Sequence, residues 1–207
     1  MQRDSRDFYS EMGVQWLSDR KDPLHTDQEL TYLVNTLGSR SHILDLACGF
    51  GRFSIPLARK GYNVAGIDIT PLFIEHVKKI ANQDKLQIQF SVGDMRSIPY
   101  EDESFDAVIC MWNAFSEIIK AEDQIQVVTE IYRVLRKEGI GLIEVRNHRS
   151  SRAMTENYID GIAAMPSFNH TRGTLKKISE SARIEHYEVF LDNFGGRRRL
   201  FLKILKL

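Results

Sequence analysis

Cysteine is nearly absent, with only Cys48 and Cys110 in 207 residues, each inside an apolar stretch. That excludes a disulfide framework or a zinc cluster as the organising device, predicts no bound metal, and fits a reducing, cytoplasmic setting. Net charge is absent too: 28 basic residues balance 28 acidic ones, which argues against a dedicated nucleic-acid or anionic-membrane surface. The run Arg197, Arg198, Arg199 is a local exception and reads as a solvated face. The N-terminal stretch MQRDSRDFYSEMG lacks an apolar signal core. No run approaches the roughly 18 apolar residues of a membrane-crossing helix. There is neither an internal repeat nor a low-complexity linker. The expectation is a soluble protein, monomer or homodimer, with no membrane or nucleic-acid partner.

What is present is 43% hydrophobic residues over 207 positions, enough for one domain with a full core. Leu30, Leu33, Val34 and Leu37 recur at helical spacing and Gly38 can end that helix. From residue 42 short apolar runs alternate with helical patterns, the signature of a parallel sheet with covering helices. The predicted strands are His42 to Leu46, Asn63 to Ile67, Leu86 to Val92, Ala107 to Met111 and Gly141 to Arg146. Ala107 to Met111 is apolar throughout, which predicts a central strand. Helices are expected up to about Lys60, after Thr70 and Pro71, from about Asp123 to Lys137, and near Thr174 to Ser181. Residues 147 to 172 lack a period and read as a long loop or partly helical insertion. Arg183 to Leu191 and Arg198 to Leu207 read as a hairpin joined by Asn193, Phe194, Gly195 and Gly196.

The predicted fold class is therefore α/β: a doubly wound, Rossmann-like, mostly parallel seven-stranded sheet with an antiparallel C-terminal hairpin strand. It divides a single domain, 1–207, into an N-terminal helical lid segment (1–40), a cofactor-binding core (42–147), an insertion that is a candidate acceptor cap (148–172), and a helix with the closing hairpin (173–207).

Chemistry concentrates at the strand ends. Asp45 closes the first strand beside Gly49 and Gly51, where glycine lets a ligand approach the backbone closely. Asp68 closes the second, where a carboxylate can meet ribose hydroxyls or simply cap the Thr70 helix. Asp94 closes the third, as an acceptor for an adenine amino group or as a turn aspartate. Three acids at three successive strand ends, with a glycine turn beside the first, outline an adenosine site. A carboxylate beside the turn repels a pyrophosphate and attracts an ammonium group, so the ligand end near Asp45 is read as cationic.

With these residues in place the chain resembles the class I S-adenosylmethionine-dependent methyltransferases, in particular the small-molecule group, from about His42 to Asn147. The first motif is Ile43-Leu-Asp-Leu-Ala-Cys-Gly-Phe-Gly-Arg-Phe-Ser54, with Ala47 in place of the family's first glycine. Gly66-Ile-Asp68, Gly93-Asp-Met95, Ser104 to Cys110 and Arg133-Val-Leu-Arg-Lys-Glu-Gly139 match further elements, and the closing hairpin matches the family's inserted antiparallel strand. The resemblance implies S-adenosyl-L-methionine as cofactor and S-adenosyl-L-homocysteine as product. By resemblance Ala47, Gly49 and Gly51 line the methionine and ribose end, together with Asp45, Cys48, Arg52 and Phe53. Asp68 and Ile69 hold the ribose, Gly93, Asp94 and Met95 read the adenine, and Met111 and Trp112 lie near the sulfonium.

The acceptor side is open. The implied reaction is methyl transfer to a nitrogen or oxygen of a small molecule, and no catalytic residue is assigned. Candidates are His170, His148 and Tyr9, with Asn113, Arg146 and Arg172 as substrate-binding candidates. A lone histidine is also an ordinary packing residue, Trp112 is equally a core aromatic, and Tyr9 and Trp16 either form a lid or pack a leading helix. Two rivals remain: a cofactor-binding protein without transfer activity, and a nicotinamide-dependent oxidoreductase. The latter's Gly-x-Gly-x-x-Gly turn needs glycine at position 54, where Ser54 stands.

Overall fold

The computed structural model describes residues 4–154, 157–159 and 162–207. Two helices lead: α1 (Ser5–Ser18) and α2 (Pro23–Leu37), the latter closed by Gly38 at φ 58. Then β1 (His42–Leu46), α3 (Ser54–Arg59), β2 (Asn63–Asp68), α4 (Pro71–Gln83), β3 (Ile88–Val92), β4 (Phe105–Cys110), α5 (Ala121–Val134) and β5 (Leu135–Val145) alternate. The five strands are parallel neighbours. Four short strands follow, β6 (Arg152–Met154), β7 (Asn157–Ile159), β8 (Ile162–Ala164) and β9 (Ser167–Asn169), before α6 (Arg172–Ser181), β10 (Tyr187–Phe194) and β11 (Arg197–Leu205).

The seven-stranded sheet has the order β10-β11-β5-β4-β1-β2-β3, with β11 antiparallel to both of its neighbours. Strand order reverses between β1 and β4, so the connections leave these two in opposite directions and a crevice opens at their carboxyl ends. Ala107, Val108, Ile109 and Cys110 are wholly buried, as an apolar run in the middle of the sheet requires. On one face Val108, Cys110 and Ile143 pack with Val127, Val128 and Ile131 of α5 and Leu175 and Ile178 of α6. On the other, Ile43, Ala107 and Ile109 pack with Leu33 and Leu37 of α2 and Leu57 of α3. Among the described residues no helix is long and apolar enough to cross a membrane.

β3 starts at Ile88, β4 runs from Phe105 to Cys110 and β5 starts at Leu135, each shifted from the expected bounds, and three further differences shape the fold. α5 ends at Val134 rather than near Lys137, because Leu135 already pairs with Phe105 and the Arg136 guanidinium is drawn 2.9 Å from Asp106 on the neighbouring strand. Among its described residues the stretch 147–171 is neither a plain loop nor helical. β6 pairs with β9 and β7 with β8, each antiparallel, so the excursion leaves and returns along itself. The closing hairpin is tighter than its sequence suggests: β10 starts at Tyr187 and continues through Asn193 and Phe194, which leaves a two-residue turn of Gly195 and Gly196 at φ 57 and 74. Two successive left-handed residues match the twist of the paired strands, and the glycine pair adopts that conformation without a Cβ clash.

Candidate functional site

A cavity of about 330 Å3 opens at the crevice. Its floor is the turn after β1, where Ala47 and Gly49 take φ 54 and 53 and the backbone is exposed to whatever fills the space. Asp45 points up from the strand end, buried, with the Ser54 hydroxyl as its hydrogen-bond donor. With no cation bonded to it among the described residues, burial pushes its carboxyl up to about 7. Asp68 is held differently. Its Oδ2 accepts the Gly49 N–H at 2.9 Å and its Oδ1 the Thr70 N–H at 2.8 Å. Burial raises its pKa and these N–H groups oppose the rise. Thr70 occupies the N-cap position of α4, but its side chain makes no cap bond; the Asp68 carboxylate serves its amide instead. Asp94 is bound by the Arg96 guanidinium, whose Nε stands 3.0 Å from both carboxylate oxygens, and Arg96 also reaches Asp123 at 3.2 Å. These bonds hold the Asp94 pKa below its usual value against the opposing effect of burial.

Of the residues assigned to the cofactor, Asp45, Ala47, Cys48, Gly49, Arg52 and Phe53 line the cavity from the first turn. Asp68, Ile69, Gly93, Asp94 and Met95 line it from the next two strand ends, and Met111 and Trp112 from just beyond β4. Gly51 is not among the lining residues. A Cβ there would stand 2.9 Å from Ile55 and 3.0 Å from Val77, so the glycine lets α3 and α4 close on the turn. Trp112 and Asn113 are both left-handed, at φ 58 and 67, a conformation seldom taken by residues with a side chain and here fixed by surrounding bonds. The Asn113 N–H donates to Glu144, and its Oδ1 accepts from the Arg146 N–H at 2.8 Å and the Ser116 hydroxyl at 3.0 Å. The Arg52 guanidinium lies 4.1 Å from the centre of the Trp112 ring and pairs with buried Glu29.

The acceptor-side candidates separate. Tyr9 lines the cavity, and its hydroxyl donates a 2.8 Å hydrogen bond to Glu117 Oε1. Asn113, Arg146, Arg172, His148 and His170 do not line it. Asn113 ties the end of β4 to that of β5, and Arg172 is an exposed residue at the start of α6. The His148 N–H donates to the His170 carbonyl at 3.1 Å. His170, expected to precede α6 without serving a core, is fully buried, stacked on Phe115 with ring centres 5.1 Å apart and tilted against Phe168 at 4.8 Å. Desolvation lowers its pKa to about 4, so at neutral pH it is an uncharged packing ring. Trp16 packs edge-on to Phe8 and carries the Arg20 guanidinium 3.3 Å from its ring centre; it does not line the cavity.

Sequence reasoning missed Glu117. It ends the short 3-10 turn Ala114–Glu117 beyond β4, a carboxylate set against Ile118 and Ile119 where an apolar residue would be ordinary. That contrast was the available signal. Burial pushes its carboxyl up to about 7. Asp4, Ser5 and Leu17 of the N-terminal segment and Met165 and Pro166 of the insertion also reach the cavity, which no local pattern announces.

A family model described as "Methyltransferase domain" matches residues 43–139, the span that contains all three strand-end acids. These residues are those of a methyltransferase domain.

Among curated methyltransferases, a glycine/sarcosine N-methyltransferase of Parasynechococcus marenigrum is 32% identical over 152 residues, covering 69% of this chain and 53% of that protein. A demethylmenaquinone methyltransferase of Lactobacillus johnsonii is 37% identical over 107 residues, covering 49% of this chain and 42% of that protein. This chain spans about half the length of the curated relatives it matches. Among solved structures, the magnesium protoporphyrin IX methyltransferase of Synechocystis with bound S-adenosylhomocysteine superposes with a TM-score of 0.69 at 16% identity, over 98% of each chain. That likeness establishes the shared fold, and the three names cover three different acceptors.

Proposed function

We propose that this chain binds S-adenosylmethionine in the cavity and moves its methyl group to a nitrogen or oxygen atom of a small acceptor. The observation that carries the reading is that Asp45, Asp68 and Asp94, from three different strands, border one cavity with Met111 and Trp112. The residues suit that cofactor. Asp45 is a buried acid without a cation among the described residues, and an ammonium group would stabilise its ionised form. Asp68 has both oxygens oriented by backbone N–H groups, with lone pairs left for a ribose diol. A dinucleotide's pyrophosphate would instead meet Asp45 directly.

When bound, the cofactor supplies an electrophilic methyl group on a sulfonium. The protein's task is then to hold an acceptor atom in line with it, where positioning contributes roughly 7 to 11 kcal/mol. α1 closes one side of the cavity through Ser5, Tyr9 and Leu17, and the insertion closes another through Met165 and Pro166. These contacts support reading residues 1–40 as a lid and 148–172 as an acceptor cap on a single domain. Two free, buried cysteines suit a reducing cytoplasm.

Calorimetric titration with S-adenosylhomocysteine and, separately, NADH tests the cofactor. Binding of the first alone is expected; heat with NADH and none with S-adenosylhomocysteine would overturn the proposal. Incubation with methyl-labelled cofactor and a metabolite extract tests transfer, and labelled product separates an enzyme from a non-catalytic binder.

A further inference from the structure

The cavity holds more acid than cofactor binding uses. Three cations line it: Arg52 is committed to Glu29, Arg96 to Asp94 and Asp123, and Lys120 is exposed. Asp45 and Asp68 are taken up by the proposed cofactor and Asp4 caps α1, which leaves Glu117. Its carboxylate lines the same cavity as Met111 and Trp112, a few residues beyond the end of β4. Tyr9 and Ser5, both from α1, hydrogen-bond to it, and among the described residues no cation pairs with it. A carboxylate oriented by hydroxyl donors and left without a counter-ion in a site of low dielectric attracts a cation and repels an anion.

We propose that Glu117 is the proton acceptor of the reaction and that the methyl-receiving atom is the nitrogen of a primary or secondary amine, which enters as an ammonium. This rests on the methyltransferase reading above. An N–H bond of the ammonium breaks and an O–H bond forms on Glu117. The electron pair freed on nitrogen forms the new bond to the methyl carbon, and the pair of the broken S–C bond stays on sulfur. The methylated nitrogen leaves as an ammonium and Glu117 returns its proton to water. Burial sets the Glu117 carboxyl near 7, where it can both accept and release a proton around neutrality. The titratable groups acting on it are Tyr9 from α1, Asp68 at the end of β2, which pushes its pKa up, and the Cys110 thiol at the end of β4. Tyr9 is a positioning residue, since it acts on the acceptor through Glu117.

The test uses methyl-labelled S-adenosylmethionine with a panel of small primary and secondary amines, alcohols of the same carbon skeletons and the corresponding carboxylates. Label is expected on amines alone. With the best amine, Glu117→Gln should lower kcat by about 100-fold or more and abolish the limb of the pH profile near 7, while S-adenosylhomocysteine affinity stays within about threefold in calorimetry. Tyr9→Phe should retain that limb but move it to higher pH, because the lost hydrogen bond favoured the ionised carboxylate. Infrared difference spectra of wild type against Glu117→Gln should contain a protonated-carboxyl band that fades between pH 6 and 8. Label on alcohols or carboxylates, label on no amine although S-adenosylhomocysteine binds, or a pH profile unchanged in Glu117→Gln would each overturn this inference and leave the cofactor reading standing. A wild-type chain that binds no S-adenosylhomocysteine would overturn the methyltransferase reading itself.

Discussion

The Gly49 N–H donates a 2.9 Å hydrogen bond to Asp68 Oδ2, so the turn after one strand is locked to the acid that ends the next. The bond joins two sequence features that look independent, and it makes Asp68 both a structural acceptor and a wall of the cavity.

Removing that carboxylate should cost cofactor binding first. Asp68→Ala is expected to weaken S-adenosylhomocysteine by about 1 to 3 kcal/mol, and Asp68→Asn, which keeps one acceptor oxygen, by less. Calorimetry measures both; unchanged affinity in Asp68→Ala would place the ribose elsewhere.

Asp45 predicts a pH dependence of a less usual sign. Its folded pKa, about 7, lies above the ordinary value of 3.8, so between those limits the native state holds the proton more tightly than the unfolded chain. Its contribution to stability is therefore present at low pH and lost as pH rises through 7. Denaturation midpoints followed from pH 5 to 8 should fall less steeply in Asp45→Asn. Affinity for S-adenosylhomocysteine should move the other way in wild type, rising up to about tenfold per pH unit below 7 as Asp45 ionises to meet the ammonium, and that rise should flatten in Asp45→Asn.

His170 is predicted to be dispensable for methyl transfer. Both ring nitrogens are buried without a hydrogen-bond partner among the described residues, so His170→Phe should be neutral or stabilising. Its folded pKa, about 4, lies below the ordinary 6.5. The unfolded chain therefore gains the proton first as pH falls, and stability is lost below about 6.5. His170→Phe should flatten that loss in urea titrations between pH 4 and 7, and a large drop in transfer would contradict the packing role.

The buried pair Glu29 and Arg52 should respond asymmetrically. Arg52→Met leaves Glu29 without its counter-charge and is expected to cost about 3 to 5 kcal/mol, whereas Arg52→Met with Glu29→Met should recover most of it. Chemical denaturation of the two single variants and the double variant completes the cycle; additive losses would mean that the pair is not coupled.

The parts legible in the sequence are those written locally. Alternating apolar runs announced five parallel strands, and the wholly apolar stretch from Ala107 announced the centre of the sheet, because a strand covered on both faces has no solvent side to mark. The acids at positions 45, 68 and 94 were legible because parallel strands deliver their carboxyl ends to one edge. The hairpin was legible from its glycine pair, although β10 carries polar Asp192 and Asn193 through to Phe194, where composition suggested a loop. The end of α5 was not legible, since Leu135 and Arg136 are good helix residues claimed by pairing and charge on β4.

Taken alone, the sequence determined the sheet, its crevice and the carboxylates along it, all consequences of periodicity and strand order. Tertiary structure alone decided which residues meet across the crevice. It buried His170 between Phe115 and Phe168 instead of in the cavity, turned Gly51 toward Ile55 and Val77, and brought Tyr9 to Glu117 across 108 positions of chain. Such contacts depend on where α1 and the insertion fold back onto the sheet, and no spacing within either segment encodes that distance.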